Sequence, residues 1–143
     1  MVTKRLVAYL SALAIVLFAS AAYAQYTSPT PPPPVPNAIT RQVLQTANFP
    51  GDTYQTVQAI ATIAPGASTP NHTHPGVEVG YVLDGNLDLY VAGQPVKHLK
   101  AGDSFVNPDG VAHWGKNTNA DRPAKILSIY VVDKSKPLAS NVP

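Results

Sequence analysis

NHTHPGVEVGYVLDGN, residues 71–86, places two histidines one residue apart, His72 and His74, six and four residues before a carboxylate. That carboxylate, Glu78, is the only glutamate in the chain of 143 residues. The second half of the stretch, VEVGYVL (77–83), is β-branched and apolar. Asp84-Gly85-Asn86 is a turn sequence that leads into LDLYVA (87–92), so the whole reads as a hairpin. On a strand, residues i and i+2 face the same side, so His72 and His74 present their imidazoles together. Glu78 is evenly spaced from both, although Pro75-Gly76 must bend the path. Two neutral imidazoles and a carboxylate are a donor set for a divalent transition metal. His-x-His alone fits two surface loop histidines equally well; the position of the single glutamate favours the ligand reading.

Working outward, QTVQAIATI (55–63) is a partly alternating β-branched run that APGAS (64–68) breaks. AGQP (92–95) turns into VKHLK (96–100), SFVN (104–107) precedes the turn Pro108-Asp109-Gly110, and VAHWG (111–115) follows. AKILSIYVV (124–132) reads as a late strand. Past residue 24, no long segment keeps an apolar period of 3.6. Short strands separated by turns predict an antiparallel sandwich or barrel. His113, on one of these strands, could close the ligand set from across such a barrel. His98, in VKHLK, reads as a half-exposed strand position in a hairpin.

Two spaced motifs sharpen this. Gly66, five residues, His72-Thr73-His74, three residues, Glu78, six residues and Gly85 form the first. Gly102, five residues, Pro108-Asp109-Gly110, two residues, His113, three residues and Asn117 form the second. On these positions the chain resembles the cupin superfamily, in its compact, single-domain, quercetin dioxygenase-like form. The resemblance implies an all-β cupin double-stranded β-helix, a jelly-roll barrel, over residues 41–143. It also implies one divalent transition metal (Fe, Mn, Ni, Cu or Zn) on His72, His74, Glu78 and His113, with two positions open to water or substrate. Glu78 would double as a catalytic proton acceptor, and Asn117 would be structural rather than a ligand. Of the aromatic residues Tyr81, Tyr90, Phe105, Trp114 and Tyr130, most are expected in the barrel wall. Phe105 and Trp114, which flank the second motif, are the expected substrate contacts.

The N-terminus reads separately. Lys4-Arg5, the apolar run LVAYLSALAIVLF (6–18) and Ala22-Tyr23-Ala24 make a secretory leader cleaved after Ala24. Residues 25–40, which include QYTSPTPPPPVPN (25–37), read as a solvated polyproline tether. Without Lys4 and Arg5 the ten basic residues become eight, equal to the eight acidic ones. The mature chain is then neutral, with no basic patch for nucleic acid or an anionic membrane. With no cysteine, nothing is left to oxidise in a periplasmic or extracellular setting.

The reading leans to an enzyme: a dioxygenase-like oxidoreductase on a small organic molecule. Isomerase or lyase chemistry on the same metal is the alternative, although a decarboxylase-type mechanism wants a second acid near the metal. Asp84, Asp88, Asp103 and Asp109 fall mainly in turns or hairpins. A sugar-phosphate isomerase wants basic residues at the mouth, and Arg41 and Arg122 lie outside both motifs. A non-enzymatic module for a metabolite or metal is the third reading. A homodimer through paired sheet edges is expected from the family's habit.

Overall fold

The computed structural model describes residues 29–33, 38–51 and 53–143. The expected leader lies outside these residues, as does half of the expected tether, residues 25–28 and 34–37. Ten strands follow one another: β1 (Ile39–Asn48), β2 (Tyr54–Ile63), β3 (His72–Thr73), β4 (Gly76–Asp84), β5 (Asn86–Val91), β6 (Lys97–Lys100), β7 (Ser104–Asn107), β8 (His113–Asn117), β9 (Ala124–Asp133) and β10 (Ser140–Asn141). Every pairing is antiparallel. They form two five-stranded sheets, ordered β1-β2-β9-β4-β7 and β10-β3-β8-β5-β6. The described residues contain no helix. This is the all-β double-stranded β-helix expected from the motifs.

Alternation decides what each strand buries. On β4, Gly76, Glu78, Gly80 and Val82 face inward, while Val77, Val79, Tyr81 and Leu83 face out. On β9, Ala124, Ile126, Ser128, Tyr130 and Val132 face inward. The main core gathers Ile63, Leu87, Leu89, Val91, Phe105 and Ile126 between the sheets. Burying each such Leu, Ile or Phe side chain contributes about 1.5–3 kcal/mol. A second cluster of Val57, Ala59, Tyr130 and Val132 fills the other end.

Two glycines are required by geometry. Gly85 turns β4 into β5 with φ of 83°, a conformation side chains resist. Gly80 lies under the ring of Phe105, and a Cβ there would overlap the ring atoms. Phe105 therefore reaches the core only because β4 carries no side chain at that point.

The barrel begins earlier than the sequence suggested. β1 starts at Ile39, inside the expected tether, and pairs with β2 from Ile39 opposite Ile63 to Asn48 opposite Gln55. Ala38 is buried, and its carbonyl accepts a hydrogen bond from the Ala64 amide at 2.8 Å. The strand escaped the sequence reading because an edge strand exposed along nearly its whole length has no apolar face to reveal it. β10 escaped because two residues carry no period. His98 is more exposed than half: its side chain is 73% accessible, and Nδ1 lies 2.7 Å from Asp88 Oδ1.

Candidate metal centre

Strand registers assemble one cluster between the sheets. In the second sheet His72 on β3 lies directly opposite His113 on β8. In the first sheet Glu78 on β4 lies opposite Asn107 on β7 and opposite Tyr130 on β9. His74 comes from the link between β3 and β4. The ligating atoms of His72, His74 and His113 lie within 4.8 Å of one another. Glu78 Oε2 lies 3.4 Å from Nε2 of both His74 and His113. All four side chains are buried.

Each imidazole is oriented from behind. Nδ1 of His72 meets the Pro70 carbonyl at 2.8 Å, Nδ1 of His74 meets that of Leu138 at 2.6 Å, and Nδ1 of His113 meets that of Val111 at 2.9 Å. A carbonyl can only accept, so each Nδ1 carries a proton and donates it. In the neutral imidazoles every Nε2 then holds a bare lone pair. Nε2 of His74 and His113 is buried with no hydrogen-bond partner. Both face the Glu78 carboxylate, so acceptor points at acceptor. Only positive charge resolves that arrangement: protons on the imidazoles, or a cation between them. Histidines anchored through one nitrogen and bare at the other are arranged as metal ligands usually are. The residues therefore fit a metal ion.

The electrostatics agree. Burial, then the neighbouring His113, lowers the His72 pKa from 6.5 to about 4, so it is neutral at pH 7. Burial alone would raise the Glu78 pKa, but once His113 and His74 carry a proton on Nε2 the hydrogen bonds they donate outweigh it and hold it well below the ordinary value. Asn107 Nδ2 donates to Glu78 Oε2 at 2.7 Å and fixes that carboxylate. Burial, then the Glu78 charge, pushes the Tyr130 hydroxyl up to about 12.

A cavity of about 50 Å³ opens beside His72, Glu78 and His113, room for a few waters or a small ligand. Its lining combines apolar Leu87, Leu89, Phe105 and Ile126 with polar Asn107, Ser128 and Tyr130. Arg41 also lines it, its guanidinium carbon 6.0 Å from the Tyr130 ring centroid.

The sequence named His72, His74, Glu78, His113 and Phe105, and the fold brings them together. It does not bring Trp114. That residue follows His113 on β8, and its indole lines a separate cavity with Tyr90. Asn117 is fully buried, and its Nδ2 lies within 3.1 Å of the carbonyls of Ile63, Ala64 and Arg122, a structural role. Sequence reasoning missed Asn107, Ser128, Arg41 and Leu138, and named Tyr130 only among the aromatic candidates without choosing it as a contact. Asn107 and Ser128 had a signal: each is a polar residue at an inward position of an alternating strand. Leu138 had none, because its backbone carbonyl, not its side chain, holds His74.

Comparison with known proteins agrees with this architecture. Residues 59–130 match the model of the cupin domain family. The chain is 43% identical over 72 residues to "Germin-like protein subfamily 2 member 1" of Arabidopsis thaliana, covering 47% of this chain and 32% of that protein. It thus spans about a third of the length of such curated relatives. Among solved structures, the DMSP lyase DddQ from Ruegeria pomeroyi superposes with a TM-score of 0.62 at 22% identity, over 74% of this chain and 52% of that one. An oxalate oxidase in complex with the substrate analogue glycolate superposes with a TM-score of 0.60 at 23% identity, over 85% and 64%. At these identities the structural likeness shows the fold.

Proposed function

This chain belongs to the cupin family, and we propose that it is an exported, metal-dependent enzyme acting on a small organic molecule, with dioxygenase-like oxidoreductase chemistry. The observation that carries the reading is the set of convergent imidazoles, each anchored through Nδ1, facing one buried carboxylate. His72, His74, Glu78 and His113 would hold the metal. A divalent transition metal there would supply Lewis-acid or redox chemistry at its open positions. The rest falls to the chain's own residues. Phe105 and its apolar neighbours would receive the carbon skeleton and exclude water. Arg41, a cation at the same cavity, supports a ligand that carries an acidic oxygen. Glu78 is held as an anion, which suits a ligand; its depressed pKa makes it a weak proton acceptor.

One observation favours a second reading, lyase or isomerase chemistry. Tyr130 interacts with Glu78 and keeps its proton far above neutral pH, so a potential acid stands where the sequence offered no second carboxylate. The oxalate oxidase and the DMSP lyase among the fold's relatives indicate how broad its chemistry is.

The test is metal analysis of the chain from Gln25 onward, purified without chelator, followed by oxygen uptake with small carboxylates and phenols. Stoichiometric iron, copper, manganese or nickel with oxygen consumption supports the oxidoreductase. Bound metal with substrate loss but no oxygen uptake supports the lyase or isomerase. Ligand binding without turnover points to the non-enzymatic module, and no metal uptake sinks the metalloenzyme reading.

A homodimer also remains our proposal. Its support is the outer face of the first sheet, where Val79 on β4 sits between Val106 on β7 and Ile129 on β9, all exposed.

A further inference from the structure

The outer face of the second sheet carries a second arrangement. Tyr90 on β5 and Trp114 on β8 are register partners, and their rings stack with centroids 3.9 Å apart and planes 8° from parallel. The pair makes a flat aromatic shelf. Trp114 is the only tryptophan, is 4% exposed, and donates its indole Nε1–H to the Pro29 carbonyl at 3.0 Å. That bond joins residues 85 apart in sequence. Pro29, Thr30 and Pro31 lie against the shelf and enclose with it a cavity of about 310 Å³. Among the described residues, no charged side chain lines that cavity.

These features match one ligand chemistry. A polyproline II strand has no internal hydrogen bonds, so its carbonyls are free to accept. Aromatic grooves bind such strands by packing against proline rings, and the preformed helix loses little entropy on binding. A nearly buried indole N–H without an acceptor is destabilising, so the Pro29 carbonyl satisfies a real demand. The absence of charged side chains in the lining suits a proline-rich segment without charged side chains.

We propose that the Tyr90–Trp114 shelf is a polyproline-binding site and that its resident ligand is the chain's own Pro29–Pro31 segment, bound in cis. The segment is then a strap across the outer wall rather than a free spacer. This inference is independent of the metal site, which faces the other side of the same strand.

The single indole makes the test direct. The chain from Gln25 is compared with the same chain carrying Pro29→Gly, Pro31→Ser, Pro32→Gly and Pro33→Ser. The readouts are the indole N–H resonance, its exchange with water and the tryptophan emission; circular dichroism confirms an intact fold. The variant should exchange its indole proton at least about 10-fold faster, which corresponds to about 1.4 kcal/mol. Added peptide TSPTPPPP should return the variant's resonance to the wild-type position and saturate, while the wild type barely responds. An alanine-for-proline peptide should not bind. Unchanged indole signals in the variant overturn the proposal. So does equal binding of the alanine peptide. A wild-type signal that changes between about 10 μM and about 1 mM protein would show exchange between copies and overturn binding in cis.

Discussion

His113 and Trp114 are adjacent in sequence and meet two different surroundings. His113 faces inward onto a buried polar cluster whose lone pairs converge on one carboxylate. Trp114 faces outward onto a stacked tyrosine and a proline-rich segment. The period of two along β8 is enough to separate them. The inner face is defined by charge and anchoring hydrogen bonds, the outer one by flat apolar contact and a single donor. The two sites should therefore fail independently.

The largest expected effect breaks the inner face alone. His72→Ala should abolish metal uptake at micromolar metal while leaving the barrel folded and the Trp114 emission unchanged. Elemental analysis and fluorescence on the same sample check both halves. Wild-type occupancy in that variant would refute the ligand assignment.

Acid should act on the same side. In metal-free protein His72 titrates at about 4, against 6.5 when unfolded. Between those values the unfolded chain takes up a proton that the folded chain refuses, so stability falls as pH drops through that window. Glu78, held below its ordinary value when folded, extends the loss to lower pH. The His72 contribution is on the order of 3 kcal/mol. Urea midpoints of metal-free protein at pH 7 and pH 4 measure it; His72→Ala should flatten the slope and Trp114→Phe should not.

Gly80→Ala pushes Phe105 from its place beside the cavity and should cost about 1–3 kcal/mol by overpacking, read as a lower urea midpoint. Asn107→Leu removes the donor to Glu78 and should weaken metal binding by about 10–100-fold at nearly unchanged emission. Trp114→Phe is the mildest. It keeps the stack and loses the bond to Pro29, costing about 1 kcal/mol with metal affinity within about twofold of wild type. A large loss of metal in that variant would show that the two faces of β8 are coupled.

The strands that alternate cleanly, β4, β5 and β9, could be read directly, because a half-buried strand repeats its apolar side every second residue. β1 and β10 could not, since pairing along an edge needs no apolar face. Trp114 was placed in the site because it flanks His113, and that same adjacency turns it to the opposite face of the strand. Phe105 is oriented inward by the same alternation, and Gly80 leaves room for it.

What the sequence indicated by itself is the all-β fold, the turns and the candidate histidines and glutamate of the site, because spacing and side-chain chemistry are local properties written residue by residue. The tertiary structure alone decided the rest: the row Asn107–Glu78–Tyr130, the carbonyl of Leu138 behind His74, Arg41 at the cavity and the proline segment on Trp114. Each of these depends on strand register or on a backbone atom brought close by the closure of two sheets. Neither register nor closure has a signature in the identity of a single residue.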